Sequence, residues 1–361
     1  MQALIKSKTK TITNFSAGPS FLPDIVNKKI LTLFEERLNT GISILEISHR
    51  SSEFIDLKNK LESYIQQILK LPSDYDVLFM PAGARAQNAA IPMNFISTNR
   101  SSPIYLTSGF WSTNSASEAK KYSDILIDNL HTPLTNICNN SAYYFYTNNE
   151  TIDGVYLDKI RYLSHDRVVC DMSSSLFACR QDVKKFSLIF AASQKNIGIP
   201  GMALVIVKKS FLQSSAPMLI TPSILNYKNQ KLKESMYNTP NNLTWVISLF
   251  MMEWIMQEGI DKIQSILDIK ARKIYDFFDG SAFYSTFVNN ELRSKVNITF
   301  TTNNKSLDDS CISYLYKQGI VGVKGHNKIG GLRLSLYVAN FNFNIDFLLD
   351  CLINFEKMNT C

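Results

Sequence analysis

The sequence predicts an α/β fold: a large domain on a mostly parallel sheet flanked by helices, followed by a smaller C-terminal α+β domain. Three observations predict it. Short apolar, β-branched runs recur between residues 77 and 207 and read as strands buried on both faces. Segments with apolar residues three and four apart lie between them, the alternation of a βαβ chain. After about residue 260 the texture changes to longer helical patterns around fewer strands.

In chain order, residues 24–38 carry apolar side chains at 26, 30, 31, 33, 34 and 38, which is helical spacing. Asp24, after Pro23, is expected to be the N-cap. Residues 53–69 repeat the pattern through Phe54, Leu57, Leu61, Tyr64, Ile65 and Ile68. Strands are expected at 77–80, 103–107, 125–127, 167–171, 187–192 and 203–207, with helices such as 85–96 and 114–121 between them. A helix over 242–268 would bridge the two parts. Beyond it the expected elements are a helix at 261–278, a strand at 296–300, a helix at 306–318, a strand at 332–339 and a last helix at 343–357. The expected division is an N-terminal segment (1–23), a large domain (24–260) and a small C-terminal domain (261–361).

A chain of 361 residues is long enough to bury a large core, and its 45% apolar content excludes a disordered, collagen-like or low-complexity protein. The net charge of +7 is spread along the chain and interleaved with acidic residues. A nucleic-acid binder would cluster that charge, so no nucleic-acid role is expected, and a site for acidic small molecules is favoured. The six cysteines form no C-x-x-C pair and the four histidines are scattered; neither a disulfide scaffold nor a metal site is expected. The basic N-terminus lacks the apolar core of a signal peptide. The stretch 245–256 is interrupted by Glu253 and too short to span a bilayer. A cytoplasmic protein away from membranes is the expectation.

Two residues at strand ends carry the first chemical signal. Asp171 closes the strand RVVCD, and Lys195 follows the strand SLIFAA 24 positions later in SQKNIGIPG. Ligands of open α/β sheets sit beyond the carboxyl ends of the strands. A carboxylate and an amine brought together there suit pyridoxal phosphate (PLP), the amine as covalent anchor and the carboxylate as partner of the pyridine nitrogen. A structural ion pair, or two unrelated polar strand ends, are the alternatives. The segment PAGARAQNAAIPMN (81–94) follows a strand and opens a helix, a turn able to bind an anion but common to many α/β proteins. Its alanines at 82, 84 and 86 are expected to hold ordinary, negative φ. Trp111 would stack on a planar ring, and Thr151 and Ser173 would bond to ring substituents; packing and turn chemistry are the alternatives for these three.

The segments NFSAGPSFLP (14–23), ILEISHRSSEF (44–54), NETIDG (149–154), CDMSSS (170–175), SQKNIGIPG (193–201), YNTPN (237–241) and KGHNKIGGLRLS (324–335) occur in that order. Together they resemble the phosphoserine aminotransferase family, class V enzymes of the fold-type I PLP-dependent group, from about Asn14 to the C-terminus. The resemblance implies that Lys195 holds PLP as a Schiff base and that Asp171 pairs with the ring nitrogen. It implies Trp111 stacked on the ring and Thr151 beside the ring hydroxyl. Ala84, Arg85 and Gln194 would bind the cofactor phosphate, joined by Asn238 and Thr239 from the neighbouring subunit of a homodimer. Arg333 would hold the substrate carboxylate with Ser16 nearby, and His49, Arg50 and His326 would face the distal anion. The implied reaction passes the amino group of glutamate to 3-phosphohydroxypyruvate, giving 2-oxoglutarate and phosphoserine. The longer phosphorylated substrate of pyridoxine synthesis, 3-hydroxy-2-oxo-4-phosphonooxybutanoate, is implied as well. Asn327 stands where the family usually has Arg, with Lys328 next to it. A relative with altered substrate choice and an inactive homologue are therefore the alternatives.

Overall fold

The computed structural model describes residues 12–37, 41–96, 100–134, 140–157 and 165–360. Residue 38 of the first expected helix and two of the six cysteines, Cys138 and Cys361, lie outside them. Among the described residues the main sheet has seven strands. Their order across it is Tyr75–Pro81, Met202–Lys208, Leu188–Ala192, Val168–Asp171, Tyr144–Thr147, Ile104–Thr107 and Leu126–Asn129. All neighbours run parallel except Met202–Lys208, which is antiparallel to both of its own.

The uninterrupted apolar runs have a simple cause: the sheet is covered on both faces. Val77 and Phe79 enter one core cluster, while Leu78 and Met80 enter another with Ile91, Phe95 and Tyr105. Alternate side chains of a strand point to opposite faces, so both sets must be apolar. On the first face Trp245 of helix Asn242–Glu258 lies 5.5 Å from the ring of Phe54 and 4.9 Å from that of Phe79. Phe54 opens helix Ser52–Ile68, whose N-cap Ser51 accepts the Phe54 N–H at 3.3 Å.

Several elements differ from expectation. Pro23 is the N-cap of helix Asp24–Glu35, and Asp24 is its first helical residue, where a carboxylate meets the positive end of the helix without side-chain capping. The aromatic strand Tyr144–Thr147, an inner strand of the sheet beside Val168–Asp171, has no counterpart among the expected strands. The bridging helix is broken at Gly259, whose φ of +85° ends Asn242–Glu258 before Ile260–Asp279 begins. Such a φ is costly for any residue with a Cβ. The strand expected over 332–339 stops at Ser335, because Tyr337 starts a short helix (Val338–Asn342) and gives its N–H to the Asn340 side chain.

Leu332–Ser335 pairs with Asn297–Thr301, which pairs with Ser285–Thr286, giving a small antiparallel sheet. The N-terminal segment packs on this C-terminal part: Thr13–Asn14 runs parallel to Ile320–Val321, and the Asn340 amide donates to the Asn14 carbonyl at 2.9 Å. Among the described residues no helix is long and apolar enough to cross a membrane.

Candidate active site

Asp171 ends its strand buried, and its Oδ1 accepts the backbone N–H of Ser173 at 2.8 Å. Burial raises its pKa; the Ser173 hydrogen bonds and the charge of Lys195 act in the opposite direction. Lys195 lies in the turn after the neighbouring strand. That turn is fastened from several sides. Gly198 N–H donates to the Ser193 carbonyl at 2.8 Å, and the Asn196 amide donates to the Ser174 carbonyl at 2.8 Å. Asn196 Oδ1 also receives the Val338 N–H at 3.0 Å. From the N-terminal segment, Ser20 N–H donates to the Gln194 carbonyl at 2.9 Å and its hydroxyl to the Lys195 carbonyl. Burial pushes the Lys195 amine down to about 8; Asp171 opposes the shift and Arg333 adds to it.

Asp171 and Lys195 line one cavity of about 550 Å³ together with Gly83, Arg85, Trp111 and Gln194. Among the described residues no salt bridge closes between the two, though each charge acts on the pKa of the other. Helix Ala84–Phe95 begins at this cavity with Gly83 as N-cap and no side-chain cap. The first turn of a helix leaves N–H groups without backbone partners, a ready place for an anion. One expectation fails here. Ala84 and Ala86 are helical, but Ala82 holds a φ of +64°, the left-handed conformation through which the chain turns from the strand ending at Pro81 toward the helix.

The opposite wall is Trp111. Its indole N–H donates to the Thr151 hydroxyl at 2.7 Å, and the Arg85 guanidinium lies 5.8 Å from its ring centre. Thr151 is buried behind the wall rather than lining the cavity, and its carbonyl accepts Arg333 Nη1 at 2.9 Å. Arg333 Nε is buried without a partner. Ser173, by contrast, lines the cavity, and its hydroxyl accepts the Ala192 N–H at 3.1 Å.

The remaining sequence-predicted residues stand apart from this cavity within the chain. Ser16 packs against Gly322, where even a Cβ would come within 2.4 Å of its N and Oγ. His49 is half-buried and Arg50 exposed on the turn before Ser52. Asn238 and Thr239 line a separate hollow of about 230 Å³ beside Trp245. The His326 ring lies 5.8 Å from Phe110, Asn327 is exposed, and the Lys328 ammonium sits 4.3 Å over the Phe110 ring. Sequence reasoning assigned no part to Ser20, Asn196 or Glu150. All three lie inside quoted motifs, but their partners are 22 to 175 residues away or reached only through backbone groups.

Residues 12–348 match the profile of the family described as Aminotransferase class-V. The chain belongs to that family. As an aminotransferase of this class it is similar to the phosphoserine aminotransferase of Blochmanniella floridana, 36% identical over 96% of this chain and 99% of the relative. The solved phosphoserine aminotransferase of Bacillus circulans subsp. alkalophilus superposes with a TM-score of 0.91 at 30% identity, covering 97% of this chain and 100% of that one. A PLP-bound phosphoserine aminotransferase from Trichomonas vaginalis gives 0.86 at 26% identity, covering 96% and 99%. The residues of the aminotransferase cavity fit the same cofactor: an amine of lowered pKa, a buried carboxylate, an aromatic wall and an uncapped helix N-terminus surround one space.

Proposed function

We propose that this aminotransferase is a phosphoserine aminotransferase, moving the amino group of glutamate to 3-phosphohydroxypyruvate with PLP as cofactor. The observation that carries the reading is the convergence of Lys195 and Asp171, from adjacent strand ends, on a cavity opened by a helix N-terminus. When bound, PLP supplies the electron sink that makes the substrate Cα–H acidic. Lys195 anchors it and then carries the proton, a task suited to an amine pushed down to about 8. Asp171 holds a proton on the ring nitrogen. Trp111 walls the ring, Thr151 serves its hydroxyl side, and Ala84, Arg85 and Gln194 receive the phosphate.

Arg333 takes the substrate carboxylate, for which its unpartnered Nε and planar fork are suited. Ser16 assists there, and His49, Arg50 and His326 meet the distal anion. Asn238 and Thr239 line a separate hollow of their own chain, which favours a homodimer whose sites borrow them from the second copy. Both substrates carry a carboxylate and a distal anion, so one cationic pocket serves both. We extend the proposal to the phosphorylated oxo acid of pyridoxine synthesis and to a cytoplasmic location; the buried thiols Cys170 and Cys311 support the latter.

The test is the visible spectrum of purified protein loaded with PLP, before and after glutamate alone. A long-wavelength band that moves to shorter wavelength with glutamate and returns with 3-phosphohydroxypyruvate is the expected result. No band with excess PLP would favour the inactive homologue, and a band that ignores glutamate would favour a different amino donor.

A further inference from the structure

Helix Phe110–Ala119 carries the indole wall, and two carboxylates take the first three N–H groups of that helix. Phe110 N–H donates to Asp153 Oδ2 at 2.9 Å. Trp111 N–H donates to Glu150 Oε2 at 2.8 Å, and Ser112 N–H to Glu150 Oε1 at 2.8 Å. These are donors that a helix cannot satisfy internally, and a negative charge there also meets the positive end of the helix. The next residue in the chain, Thr151, accepts the indole N–H of the same tryptophan. Adjacent residues 150 and 151 therefore grip Trp111 by both its backbone and its ring.

Two further features separate this arrangement from an ordinary helix cap. Glu150 has no exposed surface, and burial pushes its pKa up to about 7 against the pull of the Ser112 and Trp111 N–H groups. A serine or aspartate at position 109 would cap the helix beside water at a lower desolvation cost. Position 109 is instead glycine with extended backbone at φ 179°, so its conformation does not call for glycine. Space does: a Cβ there would stand 2.6 Å from Asp153 Oδ2 and 2.7 Å from Glu150 Cγ.

We propose that Glu150 is a positioning residue for the cofactor: its two oxygens fix the turn that carries Trp111, and so set the indole plane against the bound PLP ring. Asp153 and Gly109 complete the clamp. The inference rests on the reading of Trp111 as the wall of the PLP site.

A double-mutant cycle tests it. Glu150→Gln keeps one acceptor oxygen and turns an NH2 toward the other N–H. Losing a hydrogen bond to a charged group predicts about tenfold weaker retention of PLP in this variant, and a reduced induced circular dichroism of the cofactor band. In a Trp111→Ala background the same change is expected to add little to either loss, because the ring it orients is gone. Gly109→Ala, which leaves Glu150 chemically intact and crowds it, is expected to reproduce the signature and replaces Glu150→Gln in the cycle if that variant does not fold. Losses that add in full in the Trp111→Ala background would overturn the proposal, leaving Glu150 a structural cap. So would a cofactor dichroism unchanged in both Glu150→Gln and Gly109→Ala. Failure of the unsubstituted protein to bind PLP would instead remove the underlying reading of the site.

Discussion

Arg333 and Thr151 meet side chain to backbone: guanidinium Nη1 donates to the Thr151 carbonyl at 2.9 Å, and Nε is left buried with no partner. One corner of the fork is pinned while other donors remain for an incoming anion. Lysine has no second donor in a fixed plane. Arg333→Lys is therefore expected to raise the KM for glutamate by about 10- to 150-fold, the range for a lost charge-assisted hydrogen bond. PLP retention is expected to stay within about twofold, since the fork serves the substrate carboxylate. Steady-state kinetics beside cofactor release check this, and an unchanged KM would place the carboxylate elsewhere.

The lowered pKa of Lys195 sets a pH dependence. Only the neutral amine attacks an aldehyde, so capture of PLP by the cofactor-free enzyme is expected to quicken about tenfold per pH unit below 8 and to level off above it. An amine at its ordinary value would keep accelerating to beyond pH 10. The linkage has a defined sign as well. Between about 8 and the ordinary lysine value the unfolded chain holds a proton that the folded chain has lost. Stability of the cofactor-free protein from this group therefore rises with pH across that window. Stopped-flow absorbance and denaturant titration read the two effects.

Ala82 holds left-handed backbone at φ +64°. That conformation costs an alanine roughly 1–2 kcal/mol, of which glycine returns about half through its greater freedom when unfolded. Ala82→Gly is thus expected to stabilise the fold by about 0.5–1 kcal/mol, seen as a raised Tm of the cofactor-free protein. A lowered Tm would mean that the alanine methyl contributes more by packing than the strain costs.

Asn327 is exposed, and its neighbour Lys328 rests over Phe110. Asn327→Arg is expected to lower the KM for 3-phosphohydroxypyruvate more than that for glutamate, because in the shared distal-anion pocket the phosphate carries more charge than a carboxylate. Equal KM values before and after would show that another cation already supplies the contact.

The parts of the site that were legible in the sequence are those whose chemistry coincides with a strong pattern. Buried parallel strands read as apolar runs, so Asp171 and Lys195 could be placed at the carboxyl ends of strands; that the two strands are neighbours is added by the sheet order. Ala82 was not legible, because left-handed backbone is anticipated from glycine and an alanine there looks ordinary. Tyr144–Thr147 was missed because its burial comes from three aromatic rings without the β-branched run that marked the other strands. Gly259 was visible as a residue but not as a break, since the apolar spacing continues across it. Glu150 looked like one acid in a turn; its partners are backbone groups 38 and 39 residues away, and backbone groups leave no trace in a residue pattern.

The pairing of Thr13–Asn14 with Ile320–Val321 has a consequence for biosynthesis. A ribosome makes the first member of this pair roughly 300 residues before the second. Ser20, which fastens the Lys195 turn, belongs to the early segment, while Val338, which fastens the same turn through Asn196, and Arg333 belong to the late one. A nascent chain thus presents every strand of the main sheet well before the lysine turn is locked. Competence to take up the cofactor therefore waits for Val338 to emerge, and a product of translation stalled before it would carry the cavity's walls without that fastening.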